Sequence, residues 1–96
     1  MISGFSDATT KDLFERKNSA RARKFPPDVR DRALDKLDLL NAAISLNDLG
    51  KIPGNNLEAL KGALAGFHSI RINDQWRVVF KWEGSDANEV RIADYH

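Results

Sequence analysis

The chain lacks cysteine and holds few residues of the other types that bind metals. Its 96 residues include no cysteine, two histidines and one methionine. Without thiols it can form neither a disulfide nor a thiolate metal site, and two isolated histidines make a poor metal-binding set. A glycine-rich phosphate loop and a nucleophile elbow are also missing. We therefore expect a function that uses no metal and no other cofactor.

Long hydrophobic stretches are missing as well. No apolar run approaches the roughly 20 residues of a membrane-spanning helix. The first seven residues, Met-Ile-Ser-Gly-Phe-Ser-Asp, show neither the basic leader nor the apolar core of a signal peptide. A hydrophobic content of 42% and a charged content of 30% are typical of globular proteins. We expect one soluble, cytoplasmic domain over residues 1–96, with no membrane contact.

Charge is present in both signs but is unevenly distributed. Residues 11–24 carry six basic and two acidic side chains, a local net charge of +4 within a chain whose net charge is +1. Arg21, Arg23 and Lys24 close this segment, and such a cluster can bind a polyanion such as RNA. A basic run is more commonly solvated surface, so both interpretations stay open at this point.

The clearest pattern in the chain covers residues 68–82, which alternate between apolar and polar side chains on both sides of a polar turn. This alternation predicts a β-hairpin. A three-residue loop at 73–75 brings the apolar faces into register, with Ile70 opposite Val78, and it sets Arg71 opposite Arg77. Like charges that face each other are destabilising. Either an anion lies between these two guanidiniums, or both extend into water.

The remaining elements complete an α+β domain. We predict a strand at 2–5, a short helix at 8–16 capped by Asp7, and a long helix that starts at Pro26-Pro27-Asp28. Residues 51–56 are a predicted loop, which 57–62 continue as an irregular approach to the hairpin. Residues 83–88 are a predicted linker, and 89–95 alternate as a last strand. The predicted order is β-α-α-β-β-β, with two N-terminal helices packed on a small antiparallel sheet.

The apolar stripe of the long helix consists of Val29, Ala33, Leu37, Leu40 and Ile44. The uncovered sheet face would display Arg71, Arg77, Lys81, Arg91 and Tyr95.

A chemical cluster is predicted where this basic face meets the end of the chain. Lys61 lies in a glycine-flanked loop, and Asp94-Tyr95-His96 closes the last strand. Metal-free RNA cleavage needs one group to accept a proton, another to donate one, and cations to stabilise the phosphorane. Tyr95 could stack on a base as readily as donate a proton. The alternative is a frayed terminus beside solvent-facing arginines.

Three stretches together resemble the HigB toxins of the RelE superfamily. They are Leu57-Glu58-Ala59-Leu60-Lys61-Gly62, the strand His68–Ile72 with Gln75-Trp76-Arg77, and the closing Asp94-Tyr95-His96. The resemblance implies a RelE-like microbial ribonuclease fold and a toxin that cuts messenger RNA in the ribosomal A site. It also implies a HigA-like helix-turn-helix antitoxin, and contact with operator DNA only through the toxin–antitoxin complex.

Family roles carry over residue by residue. The resemblance implies that Lys61 and Arg77 hold and neutralise the scissile phosphate, and that Asp94, Tyr95 and His96 supply proton transfer, orientation or stacking. Many members have a histidine-proline pair where Glu58 and Ala59 stand here. Either Glu58 replaces that histidine, or His96 carries more of the work. The further RNA contacts that we expect are Arg71, Lys81, Arg91, Arg21, Arg23 and Lys24. The alternative function is a non-catalytic member that binds the ribosome, RNA or its antitoxin without cleaving.

Overall fold

The computed structural model describes residues 1–94, in which three α-helices precede four strands. The helices are α1 (Ala8–Phe14), α2 (Pro27–Ala42) and α3 (Leu46–Gly50), and the strands are β1 (Glu58–Ala59), β2 (Phe67–Arg71), β3 (Trp76–Glu83) and β4 (Asp86–Asp94). Single 3₁₀ turns lie at Ala22–Lys24 and Gly62–Leu64. The strands form one antiparallel sheet in the order β1-β2-β3-β4. The predicted α+β class is confirmed, although the order of the elements differs.

The helices begin where the sequence predicts. The Asp7 side chain accepts a hydrogen bond from the backbone N–H of Thr10 at 2.7 Å, which caps α1. Pro27 opens α2, where its fixed φ suits the first helical position. The end of α2 corrects one prediction. The helix stops at Ala42, so Ile44 is 76% exposed and Ala43 is buried in its place.

The central hairpin has the predicted register. Ile70 lies opposite Val78 and Arg71 lies opposite Arg77. The backbone N–H groups of Ile72 and Asn73 both donate to the Trp76 carbonyl, which closes the three-residue loop. The apolar face of this hairpin packs against α2, and the side chains of Leu37, Leu40, Ile70, Val78 and Phe80 are all fully buried.

The edges of the sheet differ from the prediction. Residues 2–5 form only isolated parallel bridges to β4, at Ile2 with Ala87 and at Phe5 with Val90. The fourth strand instead comes from 58–59, inside the stretch that the sequence predicted to be an irregular approach to the hairpin. The predicted 83–88 linker shrinks to a turn at Gly84 and Ser85 between β3 and β4. In the described part of the chain, no helix is both long and apolar enough to cross a membrane.

Candidate active site

Arg77 is the best-fixed cation on the sheet face that the helices leave uncovered, which we call the open face. Its Nε donates to the Ser69 hydroxyl at 2.8 Å, and its Nη2 donates to the Asn56 carbonyl at 2.5 Å. The residue is only 8% exposed. Arg77 therefore lies on the predicted face, but the expectation that it is displayed to solvent is wrong, because Ser69 and Asn56 hold its guanidinium against the protein.

Arg71 faces Arg77 across the hairpin but turns to a different partner. Its Nη2 forms an ion pair with the carboxylate of Asp74 in the hairpin loop. Each guanidinium thus has its own protein acceptors. Local acceptors thus separate the two charges, and an anion between the two guanidiniums stays a prediction.

Glu58 and Lys61 lie at the strand that borders this pair of arginines. Glu58 is paired with Ser69, so its side chain lies on the same face as the hydroxyl that Arg77 contacts. Lys61 follows three residues later and is exposed, and three extended residues span at most about 10 Å. Glu58 and Arg77 therefore lie on the open face together, and Lys61 follows Glu58 in the chain by three residues.

Arg91 and Lys81 extend the open face away from this edge. Arg91 is paired with Val79, and Lys81 is paired with Phe67 on one side and Asn88 on the other. Both side chains are half-buried. Within residues 1–94 neither side chain forms an ion pair, and their predicted contact with RNA stays a prediction.

Asp94 lies on the other side of the sheet. It is paired with Trp76, whose ring packs on the helix-facing side, and its carboxylate accepts a hydrogen bond from the Gln75 side chain at 3.2 Å. The structure does not bring Asp94 onto the open face with Arg77, because odd and even positions of β4 point to opposite faces. Its predicted role stays a prediction. Tyr95 and His96 lie outside the described residues.

Comparisons with known proteins decide the family. Residues 3–96 match the family model for HigB-like toxins, described as RelE-like toxins of the type II toxin–antitoxin system HigB. The chain belongs to this family. It is 37% identical to Toxin HigB-1 of Vibrio cholerae over 78 residues, which cover 81% of this chain and 80% of that one. It is 30% identical to Endoribonuclease HigB of Proteus vulgaris over 96 residues, which cover 100% of both chains.

Solved structures show the same fold. The chain superposes on a YoeB–YefM complex from Staphylococcus aureus with a TM-score of 0.62 and 17% identity, covering 100% of this chain and 98% of that one. A YoeB/ParE toxin from Agrobacterium tumefaciens gives 0.61 and 19% identity, covering 100% of each. The RelE-like fold is confirmed, and the chain is a RelE-like toxin of a type II toxin–antitoxin system.

The basic segment of this HigB-like toxin lies on the helical side. Arg21 forms an ion pair with Asp12 at 3.3 Å, and Arg23 donates to the Asn18 carbonyl at 2.8 Å. The next residue after Lys24 is Phe25, whose ring packs edge-on against Trp76 with the centroids 5.4 Å apart. Because Trp76 is paired with the last described residue of β4, this segment lies near the end of β4 and not on the open face.

Sequence reasoning missed three residues that shape the site. Ser69 and Asn55 are fully buried, and Asn56 supplies the carbonyl that Arg77 contacts. Ser69 lies on the basic side of the predicted hairpin, and the Asn55-Asn56 pair lies in the predicted loop before Glu58. Their places on the basic strand face and in that loop were the only features of the sequence that pointed to them. Hydrogen-bond partners depend on side-chain packing, which alternation alone does not reveal.

Metal ligands are not grouped in the described part of this HigB-like toxin. Residues 1–94 contain no cluster of three or more histidine or acidic side chains that could hold a metal ion. What the geometry offers is a fixed guanidinium and a carboxylate on a basic sheet face, with an exposed lysine three residues after the carboxylate. Such a set can bind a phosphodiester and stabilise added negative charge on it.

Proposed function

We propose that this HigB-like toxin is an endoribonuclease that cleaves translated messenger RNA in the ribosomal A site without a metal ion. The observation that carries the proposal is Arg77, fixed on the open face beside the strand that holds Glu58. The Proteus vulgaris relative, which is named an endoribonuclease and matches over its whole length, supports it. The toxin then acts as one domain over residues 1–96.

The proposed reaction needs only the RNA and protein side chains. The 2′-hydroxyl oxygen attacks the adjacent phosphorus while a base takes its proton. The bond from phosphorus to the 5′-oxygen breaks, and an acid protonates that oxygen. The products are a 2′,3′-cyclic phosphate and a 5′-hydroxyl. Negative charge builds on the phosphorane oxygens, so preorganised cations accelerate the step.

Arg77 and Lys61 are the cations that we assign to the phosphorane. The guanidinium of Arg77 is already held by Ser69 and Asn56, so it need not reorganise as charge develops. Glu58 or His96 takes the proton of the 2′-hydroxyl, Tyr95 orients or stacks on a base, and Asp94 acts from the end of the sheet. Arg71, Lys81 and Arg91 contact flanking phosphates, and Arg21, Arg23 and Lys24 contact RNA beside the end of β4.

The proposed partners follow from the family. A HigA-like helix-turn-helix antitoxin holds the toxin inactive, and the ribosome presents the messenger RNA in the cytoplasm. Operator DNA is contacted only through the toxin–antitoxin complex. We propose no interaction with a membrane.

A second candidate function is binding without cleavage. Glu58 stands where many members carry a histidine, and a carboxylate next to a phosphodiester repels it unless it acts as a base. The burial of Arg77 also fits a guanidinium that stabilises the protein. In this alternative the toxin occupies the ribosome, RNA or its antitoxin and leaves the message intact.

The deciding experiment maps the 5′ ends of cellular messenger RNA after induction of the toxin. We expect growth arrest and new 5′ ends within translated codons for the native chain, and loss of both for Arg77→Ala. Deletion of His96 should weaken both. Growth arrest without new 5′ ends would support the second candidate. Full toxicity of both variants would reject the assignment of these residues.

A further inference from the structure

Asn55 is a fully buried polar residue with every hydrogen-bonding group in use. Its side-chain Nδ2 donates to the Leu49 carbonyl at 3.1 Å, and its Oδ1 accepts from Lys36 Nζ at 2.5 Å. Its backbone N–H donates to the Ile52 carbonyl at 3.2 Å, and its carbonyl accepts from the Arg71 N–H at 2.7 Å. Asn55 therefore ties together α2, the end of α3 and β2.

The next residue gives this network a connection to the open face. Asn56 has φ +44°, in the left-handed region, and its carbonyl accepts a hydrogen bond from Nη2 of Arg77. A non-glycine residue in that region is strained and persists only where its surroundings fix it. The bonds of Asn55 provide that restraint, so they set the direction of the Asn56 carbonyl.

Lys36 fixes the orientation of the Asn55 amide. The Leu49 carbonyl requires a donor and the Lys36 ammonium requires an acceptor, so only one of the two amide orientations satisfies both. Burial, and then the nearby Arg71 guanidinium, lower the pKa of Lys36. The charged ammonium of Lys36 is thus partly removed from water and lies near another cation, and the hydrogen bond to the Asn55 oxygen compensates for the lost hydration.

We propose that Asn55, oriented by Lys36, is a positioning residue for Arg77, so that helix α2 determines where this guanidinium lies on the open face. The proposal rests on the proposed function, because it assumes that Arg77 stabilises the phosphate. Neither Asn55 nor Lys36 is assigned a contact with RNA. Their effect on cleavage passes through the Asn56 carbonyl.

The test uses Lys36→Met, which removes the hydrogen-bond donor and keeps the aliphatic stem, and Lys36→Arg, which keeps a cationic donor. The control is Lys51→Met, which removes an exposed lysine from the same region of the chain.

Single-turnover cleavage of messenger RNA is measured on programmed ribosomes across toxin concentrations. We expect Lys36→Met to lower the maximal rate about tenfold at an unchanged half-saturating concentration, because Arg77 is misplaced. Lys36→Arg should recover most of that rate, and Lys51→Met should match the native toxin.

A double-mutant cycle separates positioning from a general loss of structure. In an Arg77→Ala background, Lys36→Met should cause no further loss of rate, since the group that it positions is gone. Multiplicative losses would overturn the proposal. So would a higher half-saturating concentration at an unchanged maximal rate.

A second readout does not depend on cleavage. The exchange of the Arg77 Nε–H with solvent is followed by ¹⁵N NMR in the full chain. We expect faster exchange in Lys36→Met and in Asn55→Ala, and the native rate in Lys51→Met. An unchanged exchange rate in Lys36→Met would overturn the proposal even if Asn55→Ala does not fold. If Arg77→Ala leaves cleavage intact, the proposed function fails, while the exchange rates still decide whether Lys36 positions Arg77.

Discussion

Val78 and Val79 are neighbours on β3, and both are fully buried on opposite faces of the sheet. Val78 packs in the apolar core under α2. Val79 lies on the open face, between Ser69 on one neighbouring strand and Arg91 on the other. One face is thus covered by helices, whereas the other carries the buried polar side chains Ser69 and Arg77 beside Val79. On the open face the buried polar groups fix the guanidinium of Arg77, whereas on the helical face the buried apolar side chains form the core.

This difference explains why Arg77 combines low exposure with a basic surface. Its acceptors, Ser69 and Asn56, belong to the sheet and to the loop before it, so no covering helix is needed. A guanidinium with several fixed acceptors loses less side-chain entropy when it binds a phosphate. The open face is therefore preorganised at Arg77.

The largest effect that we expect is on cleavage by Arg77→Ala. Removing one preorganised donor from a developing oxyanion costs about 10²–10³-fold in rate. Ribosome-dependent cleavage of a defined message measures it. The matched control is Arg32→Ala, which removes an exposed arginine from α2 and should leave the rate within about twofold of native. An equal loss of cleavage rate in both variants would show that an arginine on the open face contributes no more to cleavage than one on α2.

The next effect compares the two faces by the same substitution. Val78→Ala should lower the free energy of unfolding by about 2–3 kcal/mol, because it leaves a cavity in the helix-covered core. Val79→Ala should cost about 1–2 kcal/mol, since neighbouring polar side chains can close over the gap. Urea unfolding of the two variants measures this difference. Equal costs would show that the open face is as tightly packed as the core.

Alternation predicted most of what depends on neighbours along one strand. It gave the hairpin, its three-residue loop and the opposition of Arg71 and Arg77, because side-chain direction in a strand has period two. It also predicted the core stripe of α2 up to Leu40. Ile44 was wrong because the helix ends two residues earlier, and local periodicity does not show where tertiary packing stops a helix.

Features that depend on distant contacts were not predictable in this way. The two-residue strand β1 is too short to show alternation and exists because β2 pairs with it. The burial of Arg77 depends on a carbonyl 21 positions away. The parity of β4, by contrast, already separated Asp94 from Arg91, so the placement of Asp94 on the helical side was available from the sequence.

A smaller effect tests how the helical side covers the edge of the sheet. The Thr10 hydroxyl is fully buried and accepts a hydrogen bond from the Ile92 N–H at 3.0 Å, which links α1 to β4. Thr10→Val has nearly the same shape but leaves that N–H without an acceptor, which costs about 1–2 kcal/mol. Thermal unfolding measures the loss. Thr9→Val, on the same helix and less buried, is the control and should change little.

The smallest effect concerns a charge on the helical side. The hydrogen bond from Ser19, and then the Arg21 side chain, lower the pKa of Asp12 below its ordinary value of 3.8. A carboxyl with a lowered pKa in the folded state stabilises the protein above the unfolded pKa, and this stabilisation is lost as pH falls through the folded pKa. Asp12→Asn should therefore lower the melting temperature at pH 7, with the difference from the native toxin shrinking to nothing at low pH. A difference that stays constant with pH would assign the role of Asp12 to shape and not to charge. The helical side would then hold its polar groups by hydrogen bonding alone, as Ser69 and Asn56 hold Arg77 on the open face.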